Sequence, residues 1–244
     1  MVTAESIYNL LNENFPFDTQ ESWDNSGLLV NSREVTDSVL VCLDVTHEAV
    51  EKAVEVGAKI IVSHHPVIFN PIKHINNNDV VYSLIKHDIS VVSAHTNFDK
   101  YDYGTCYAMA EILNLEPLDS SDIEIGLLTK ADFTAKELAE RCKRVFGAAS
   151  CTLPENELSK IFICAGSGSS MKEEVLARGA DCLFTGECKY HDMLDLAEMG
   201  ISTVSVGHDL SESISLSTLA DIIKNEFKDI KVEVFTAEPL QLII

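Results

Sequence analysis

The chain has 244 residues, 46 % of them hydrophobic, and a formal net charge of −21 at pH 7. That apolar content supports a packed core and excludes a disordered chain. A surface so acidic repels phosphodiester backbones and argues against direct binding to nucleic acid, while leaving a small phosphorylated ligand open. Seven cysteines, an odd number without a C-x-x-C pair, read as reduced core thiols of a cytoplasmic protein. No basic-then-apolar leader stands at Met1–Ser6, and no apolar run approaches the ~18 residues of a membrane span.

Residues 3–14 have the spacing of an amphipathic helix, with Thr3 as N-cap and Ile7, Leu10 and Leu11 on one side. The segment Glu21-Ser22-Trp23-Asp24-Asn25-Ser26-Gly27 reads as a loop leading into a short strand. Its tryptophan is the only one in the chain and is expected as a hydrophobic plug beneath the loop, with a pocket wall as the alternative. A buried strand at 38–44, a helix at 46–56 closed by Gly57, and a strand at 59–62 form a β-α-β unit, which implies a parallel sheet. His47, in that helix's first turn, is expected at the surface or as a cap. The strand at 59–62 ends in Ser63-His64-His65-Pro66. A polar loop, a helix over 79–87 and a strand at 90–94 follow, ending in His95-Thr96-Asn97-Phe98-Asp99.

A helix over 104–115 and a turn-rich stretch over 116–122 lead to a second half in which the strand–helix alternation restarts at Ile123. An apolar segment at 125–128 precedes a helix over 134–146 opened by the capping box Thr134-Ala135-Lys136-Glu137. A strand at 160–165 runs into Gly166-Ser167-Gly168-Ser169-Ser170, expected as a tight strand-to-helix turn, with phosphate binding through backbone amides as the alternative. A helix over 171–178, a strand at 182–184 and Thr185-Gly186-Glu187 opening a further helix come next. Glu187 and His191 are spaced i, i+4 there, an arrangement that suits an acid/base pair or ordinary surface residues. A strand at 203–206 ends in Gly207-His208, followed by Glu212, a final helix over 212–226 and a late strand at 232–235. The fold class is α/β: two interlocking lobes with mostly parallel sheets, residues 1–122 and 123–244, the C-terminal segment with His208 and Glu212 returning to the first lobe's strand ends.

Three strand ends thus carry His64 and His65, His95 and Asp99, and His208 and Glu212. Open α/β sheets place ligands at strand carboxyl ends, so these residues point to a metal centre between the lobes. Imidazole with carboxylate suits Zn, Fe, Mn, Co or Ni better than Ca. The set is large for one ion. Adjacent His64 and His65 point apart on a regular strand, so each is expected to serve its own metal, with a carboxylate such as Glu212 bridging.

Trp23-Asp24-Asn25-Ser26-Gly27-Leu28, Ser63-His64-His65-Pro66, Ala94-His95-Thr96-Asn97-Phe98-Asp99, Thr185-Gly186-Glu187 and Gly207-His208 with Ser211-Glu212, in this order, resemble the GTP cyclohydrolase 1 type 2 family, also called Nif-three-like, over nearly the whole chain. The resemblance implies two divalent metal ions per chain, held by His64, His65, Asp99, His208 and a bridging Glu212. His95 would orient Asp99, touch the substrate or act as a weak extra ligand. The implied chemistry is metal-dependent hydrolysis of a nucleotide, opening the guanine ring with release of formate, with Glu187 or His95 moving protons. The resemblance further implies a toroidal homohexamer, in the short form without an inserted domain. Three departures from the family's pattern bear on substrate contacts and leave the ligands in place: Gly104-Thr105-Cys106-Tyr107 after Asp99, Asp209 after His208, and Gly126-Leu127 at the start of the second half. The other readings are a two-metal phosphoesterase and a metal-binding interaction or regulatory protein that captures protein partners without turnover.

Overall fold

A computed structural model describes residues 1–118 and 125–238. The lobe boundary expected at 122/123 falls outside these residues. By Cα packing the chain forms two compact units, one comprising Met1–Tyr101 with Leu216–Glu238, the other comprising Asp102–Ser215.

The first unit contains β1 (Val2–Thr3), α1 (Ala4–Asn14), β2 (Gly27–Val30), β3 (Val35–Thr36), β4 (Ser38–Cys42), α2 (His47–Glu55), β5 (Ile60–Ser63), α3 (Val80–Lys86), β6 (Ser90–Ser93) and the single-turn α4 (Thr96–Asp99). Thr3 caps α1 by accepting from the Ser6 amide, and Thr46 caps α2 by accepting from the Ala49 amide. β4, β5 and β6 are buried at every position, as strands covered on both faces must be. They pair in parallel, Val41 opposite Val62 and Val62 opposite Val92. The alternation of their side chains divides the core. Val39, Val41, Ile60, Val62 and Val92 pack with Ile7 and Leu11 of α1 and with Phe98. Leu40, Ile61 and Val91 pack with Ala49, Val50 and Ala53 of α2 and Leu84 of α3. β2 closes one edge antiparallel to β6.

The second unit contains α5 (Thr105–Ile112), β7 (Leu127–Thr134), α6 (Ala135–Phe146), β8 (Ser150–Cys151), β9 (Glu157–Ser167), α7 (Lys172–Ala177), β10 (Cys182–Glu187), α8 (Tyr190–Glu198), β11 (Ser202–Ser205) and α9 (His208–Ser213). Its sheet runs β7-β9-β10-β11-β8, with β9, β10 and β11 parallel and the outer strands antiparallel. The capping box at Thr134 and Glu137 forms as expected. The chain then returns to the first unit as α10 (Leu216–Glu226) and β12 (Lys231–Phe235), which pairs in parallel with β4. The single helix expected over 212–226 is two helices. Ser215 makes the break: both its amide (3.0 Å) and its hydroxyl (2.7 Å) donate to the Glu212 carbonyl.

Five of the seven cysteines are buried, and burial pushes the Cys142 thiol up to about 12, so the core-thiol reading holds for them. No helix among the described residues is long and apolar enough to cross a membrane.

The start of β10 is tied to β9 by one carboxylate. Asp181 Oδ2 accepts from the Ser159 amide (2.8 Å), the Ser159 hydroxyl (2.7 Å) and the Lys160 amide (2.9 Å). Burial pushes this carboxyl up, but the Ser159 and Lys160 donors outweigh it and hold it below the usual range. A lowered folded-state pKa contributes stability that is present above the unfolded value and lost as pH falls through the folded one. Asp181→Asn should therefore cost about 1 kcal/mol at neutral pH, the scale of one net hydrogen bond at a partly exposed site. The cost should shrink towards zero in urea titrations taken down to strongly acidic pH.

Candidate metal centre

β5 ends at Ser63, and the two histidines lie just beyond it. The His64 amide donates to Cys42 O (3.1 Å) and the His65 amide to Leu43 O (2.9 Å). In a regular parallel ladder alternate amides face opposite neighbours. Two consecutive amides turned towards β4 break that alternation, and the Ser63 hydroxyl, donating to His65 O at 2.8 Å, closes the turn. The expected divergence of the side chains is thereby overturned: the two imidazole centroids lie 5.2 Å apart. His95, at the N-terminus of α4, joins them at 5.1 Å from His64 and 5.4 Å from His65. Ligand nitrogens of all three fall within 4.8 Å of one another.

Each of these rings is held through Nδ1 by an oxygen. His64 Nδ1 lies 2.9 Å from Ala94 O, His65 Nδ1 2.8 Å from Asp44 Oδ1, and His95 Nδ1 2.9 Å from Asp24 Oδ1. A carbonyl or an ionised carboxylate only accepts, so each Nδ1 is the protonated nitrogen and donates. Nε2 is then the lone-pair atom of each ring, the tautomer that metal-binding histidines adopt with an oxygen partner behind them. His64 is fully buried, and its Nε2 stands 3.6 Å from Asp99 Oδ1.

Asp24 is the most heavily bonded of these partners. Its side chain is inaccessible to solvent. Besides His95 it accepts from the Thr96 amide (3.1 Å), the Thr96 hydroxyl (2.6 Å), the Ser26 hydroxyl (3.0 Å) and the Asn25 amide (2.7 Å). Burial pushes its carboxyl up, but the His95 and Thr96 donors prevail and hold it far below the usual carboxylate range.

The second unit carries a matching arrangement at the ends of β9, β10 and β11. Gly207, with φ of +114°, turns the chain out of β11 into α9. His208 and Glu212, one helical turn apart, share a face of α9, with His208 Nε2 3.2 Å from Glu212 Oε2. His208 Nδ1 lies 3.2 Å from Glu187 Oε1 at the end of β10, so this imidazole too is backed by an oxygen. Glu212 is buried. The room for it comes from Gly166, at φ of +60°, where a Cβ would overlap the Glu212 carboxylate and press on His208 Nε2. The Ser211 hydroxyl accepts from the Gly166 amide at 3.0 Å. Gly166 is thus explained by close approach of α9. The proposed acid/base spacing of Glu187 and His191 is not realised on one helix face, because α8 begins only at Tyr190; Glu187 pairs with His208 and His191 is exposed.

Two ligand atoms at ~2.1 Å from a common ion, in tetrahedral or octahedral geometry, stand roughly 3.0–3.5 Å apart. The His208–Glu212 pair matches that spacing and the His64–Asp99 pair lies just beyond it. The donor chemistry, neutral imidazole and carboxylate, fits a divalent transition metal. Asp24 and Asp44, which orient His95 and His65, carry no role in the sequence reading. The signal for Asp24 was its place in an Asp-Asn-Ser turn; Asp44 had only its position at a strand end. Trp23 is not a plug. It is 57 % exposed, edge-on to His95 with centroids 6.0 Å apart. His47 lies at the surface, its Nε2 3.0 Å from Asn78 O.

Fold and site together define an α/β protein with oxygen-backed imidazole clusters at strand ends, of the class that could hold divalent metal ions. A family model described as Duf34/NIF3 (NGG1p interacting factor 3) matches residues 2–239, and the chain belongs to that family. The chain is 34 % identical to a protein of Helicobacter pylori strain J99 named GTP cyclohydrolase 1 type 2, over the full length of both. It is also 34 % identical to a Clostridium perfringens protein named GTP cyclohydrolase 1 type 2 homolog, covering 89 % of this chain and 90 % of that one. A crystal structure of a Staphylococcus aureus hypothetical protein superposes with a TM-score of 0.88 at 28 % identity, covering 99 % of each chain.

Proposed function

We propose that the protein is a dinuclear-metal-dependent hydrolase of a nucleotide, with the GTP cyclohydrolase reaction, ring opening and formate release, as the lead activity. The observation that carries this reading is the uniform backing of His64, His65, His95 and His208 through Nδ1 by oxygen acceptors, which prepares four Nε2 atoms for ligation or proton transfer. The names of the curated relatives support the choice of substrate.

In this proposal His64, His65, Asp99, His208 and Glu212 would serve as the ligands of two divalent ions, of Zn, Fe, Mn, Co or Ni. Such ions, when bound, supply Lewis acidity towards a substrate heteroatom and activate water at neutral pH. The protein's own residues do the rest. Asp44 and Glu187 fix the orientations of His65 and His208. His95 is the proton mover: Asp24 holds the proton on its Nδ1, so Nε2 accepts and returns a proton at the reacting centre. Glu187 lies 60 % exposed on its side chain, so beyond orienting His208 it can exchange protons with solvent. A homohexamer belongs to the same proposal and rests on the resemblance described above; a cytoplasmic location belongs to it too and rests on the reading of the cysteines as reduced thiols.

The test is formate release from GTP by full-length protein loaded with each candidate metal, alongside metal analysis of the same samples. Formate should appear with metal, cease on chelation, and fall at least about 100-fold in His64→Ala and Glu212→Ala, the scale of losing a metal site's contribution. Protein that carries two ions per chain and releases only phosphate would shift the reading to a phosphoesterase. Metal-loaded protein inert towards every nucleotide would sink the hydrolase and leave a metal-dependent binder.

A further inference from the structure

The exposed aromatic pair beside the imidazoles has no part in ligation or proton transfer. Trp23 is 57 % and Phe69 46 % exposed, a large apolar area to leave in water. Their rings lie 5.9 Å apart at 38°, and Trp23 also stands edge-on to His95.

This exposure is held in place by the backbone around it. The Glu21 amide donates to the Thr96 hydroxyl (2.9 Å), the Asp24 amide to Glu21 O (2.9 Å), and the Ser26 amide to Gln20 Oε1 (2.6 Å). Asn25 Nδ2 reaches across to Ile68 O at 2.6 Å, tying the tryptophan's loop to the residue before Phe69. Asp24, next to Trp23, is the carboxylate that orients His95. One short segment therefore fixes a tryptophan face, a phenylalanine face and the proposed proton mover relative to one another.

We infer that Trp23 and Phe69 form a stacking platform for a planar heteroaromatic ring, the base of the substrate, and position it against His95. The proposal rests on the nucleotide reading above. Stacking depends on a π-face and is tolerant of base identity, so the platform recognises nucleobases as a class, and guanine is told from adenine by other contacts. Sugar and phosphate make no use of it. Phe69 acts here as a positioning residue, whose ring and not its apolar bulk is required.

The chain's single tryptophan is its own reporter. Full-length protein is titrated with guanosine, adenosine, GTP and inorganic tripolyphosphate, following tryptophan emission with inner-filter correction. Both nucleosides and GTP should quench saturably, and tripolyphosphate should not. Phe69→Tyr should retain the affinity, while Phe69→Leu should weaken it about tenfold, as expected for one lost stacking partner. At an exposed site both variants should fold, which circular dichroism checks. Absence of quenching by any nucleoside, equal quenching by tripolyphosphate, or equal affinities of the two Phe69 variants would each overturn the platform. Ring-dependent quenching without formate release refutes the cyclohydrolase reaction and leaves the platform standing; formate release without ring-dependent quenching does the reverse.

Discussion

Asp24→Ala should be among the most damaging single substitutions in the first unit, destabilising it by about 3–5 kcal/mol in urea unfolding, the range for removing one side of a buried charged network. The carboxylate accepts five hydrogen bonds, from His95, the Thr96 amide and hydroxyl, the Ser26 hydroxyl and the Asn25 amide. Truncation strands all of these donors at once. Asp24→Asn separates stability from chemistry. An amide retains the volume and some of the bonds, so the chain should fold. Its nitrogen can face His95 Nδ1, however, and then the imidazole proton moves to Nε2. If His95 moves protons, formate release should fall about 100-fold in Asp24→Asn, with metal content unchanged. A variant that folds, binds metal and turns over at the wild-type rate would remove His95 from the proposed chemistry.

Gly166→Ala should disturb the second unit's proposed metal ligands, His208 and Glu212, without replacing either of them. At φ of +60° any Cβ is strained, by roughly 1–2 kcal/mol. The added carbon would overlap the Glu212 carboxylate and lie 3.3 Å from His208 Nε2. One of two things must move: α9, which sits on this backbone through the Gly166–Ser211 hydrogen bond, or Glu212 itself. Metal affinity should drop by about 10–100-fold, measured by competition with a chromogenic chelator. Gly147→Ala is the control. It shares a positive φ, of +82°, with nothing within 4 Å of the added carbon, so it should lose a little stability and no metal. Equal metal loss in both variants would show that backbone strain alone is responsible.

The sheets were legible because β4, β5, β6, β9 and β10 are apolar runs covered on both sides, and such runs announce themselves in a sequence. The candidate ligands were legible for a related reason, since a histidine directly after such a run has few other places to be. Asp24 was not. Its bond to His95 spans 71 residues, and its place in an Asp-Asn-Ser turn marks a turn without showing which distant side chain the carboxylate holds. Asp44 pairs with His65 across 21 residues and was equally silent. Trp23 was misread because burial is the ordinary fate of a tryptophan; its exposure follows from hydrogen bonds of the neighbouring Asp24, Asn25 and Ser26 side chains, which composition does not reveal. The divergence expected of His64 and His65 assumed that β5 continued through them, whereas it stops at Ser63.

The return of β12 to β4 also sets an order on the chain's biogenesis. The first unit's core includes Leu216, Leu219, Ala220 and Ile223, and its sheet needs Lys231–Phe235 as an outer strand. On the ribosome these arrive only after Asp102–Ser215 has been made, about ten seconds later at ordinary rates of synthesis. Until then β4 presents an open edge and α1 covers one face of the sheet alone, a state prone to strand-to-strand association. The described part of the second unit, Asp102–Ser215, is one continuous stretch and can fold while its neighbour is still incomplete. Pulse-labelled nascent chains should accordingly gain protease resistance in the second unit first.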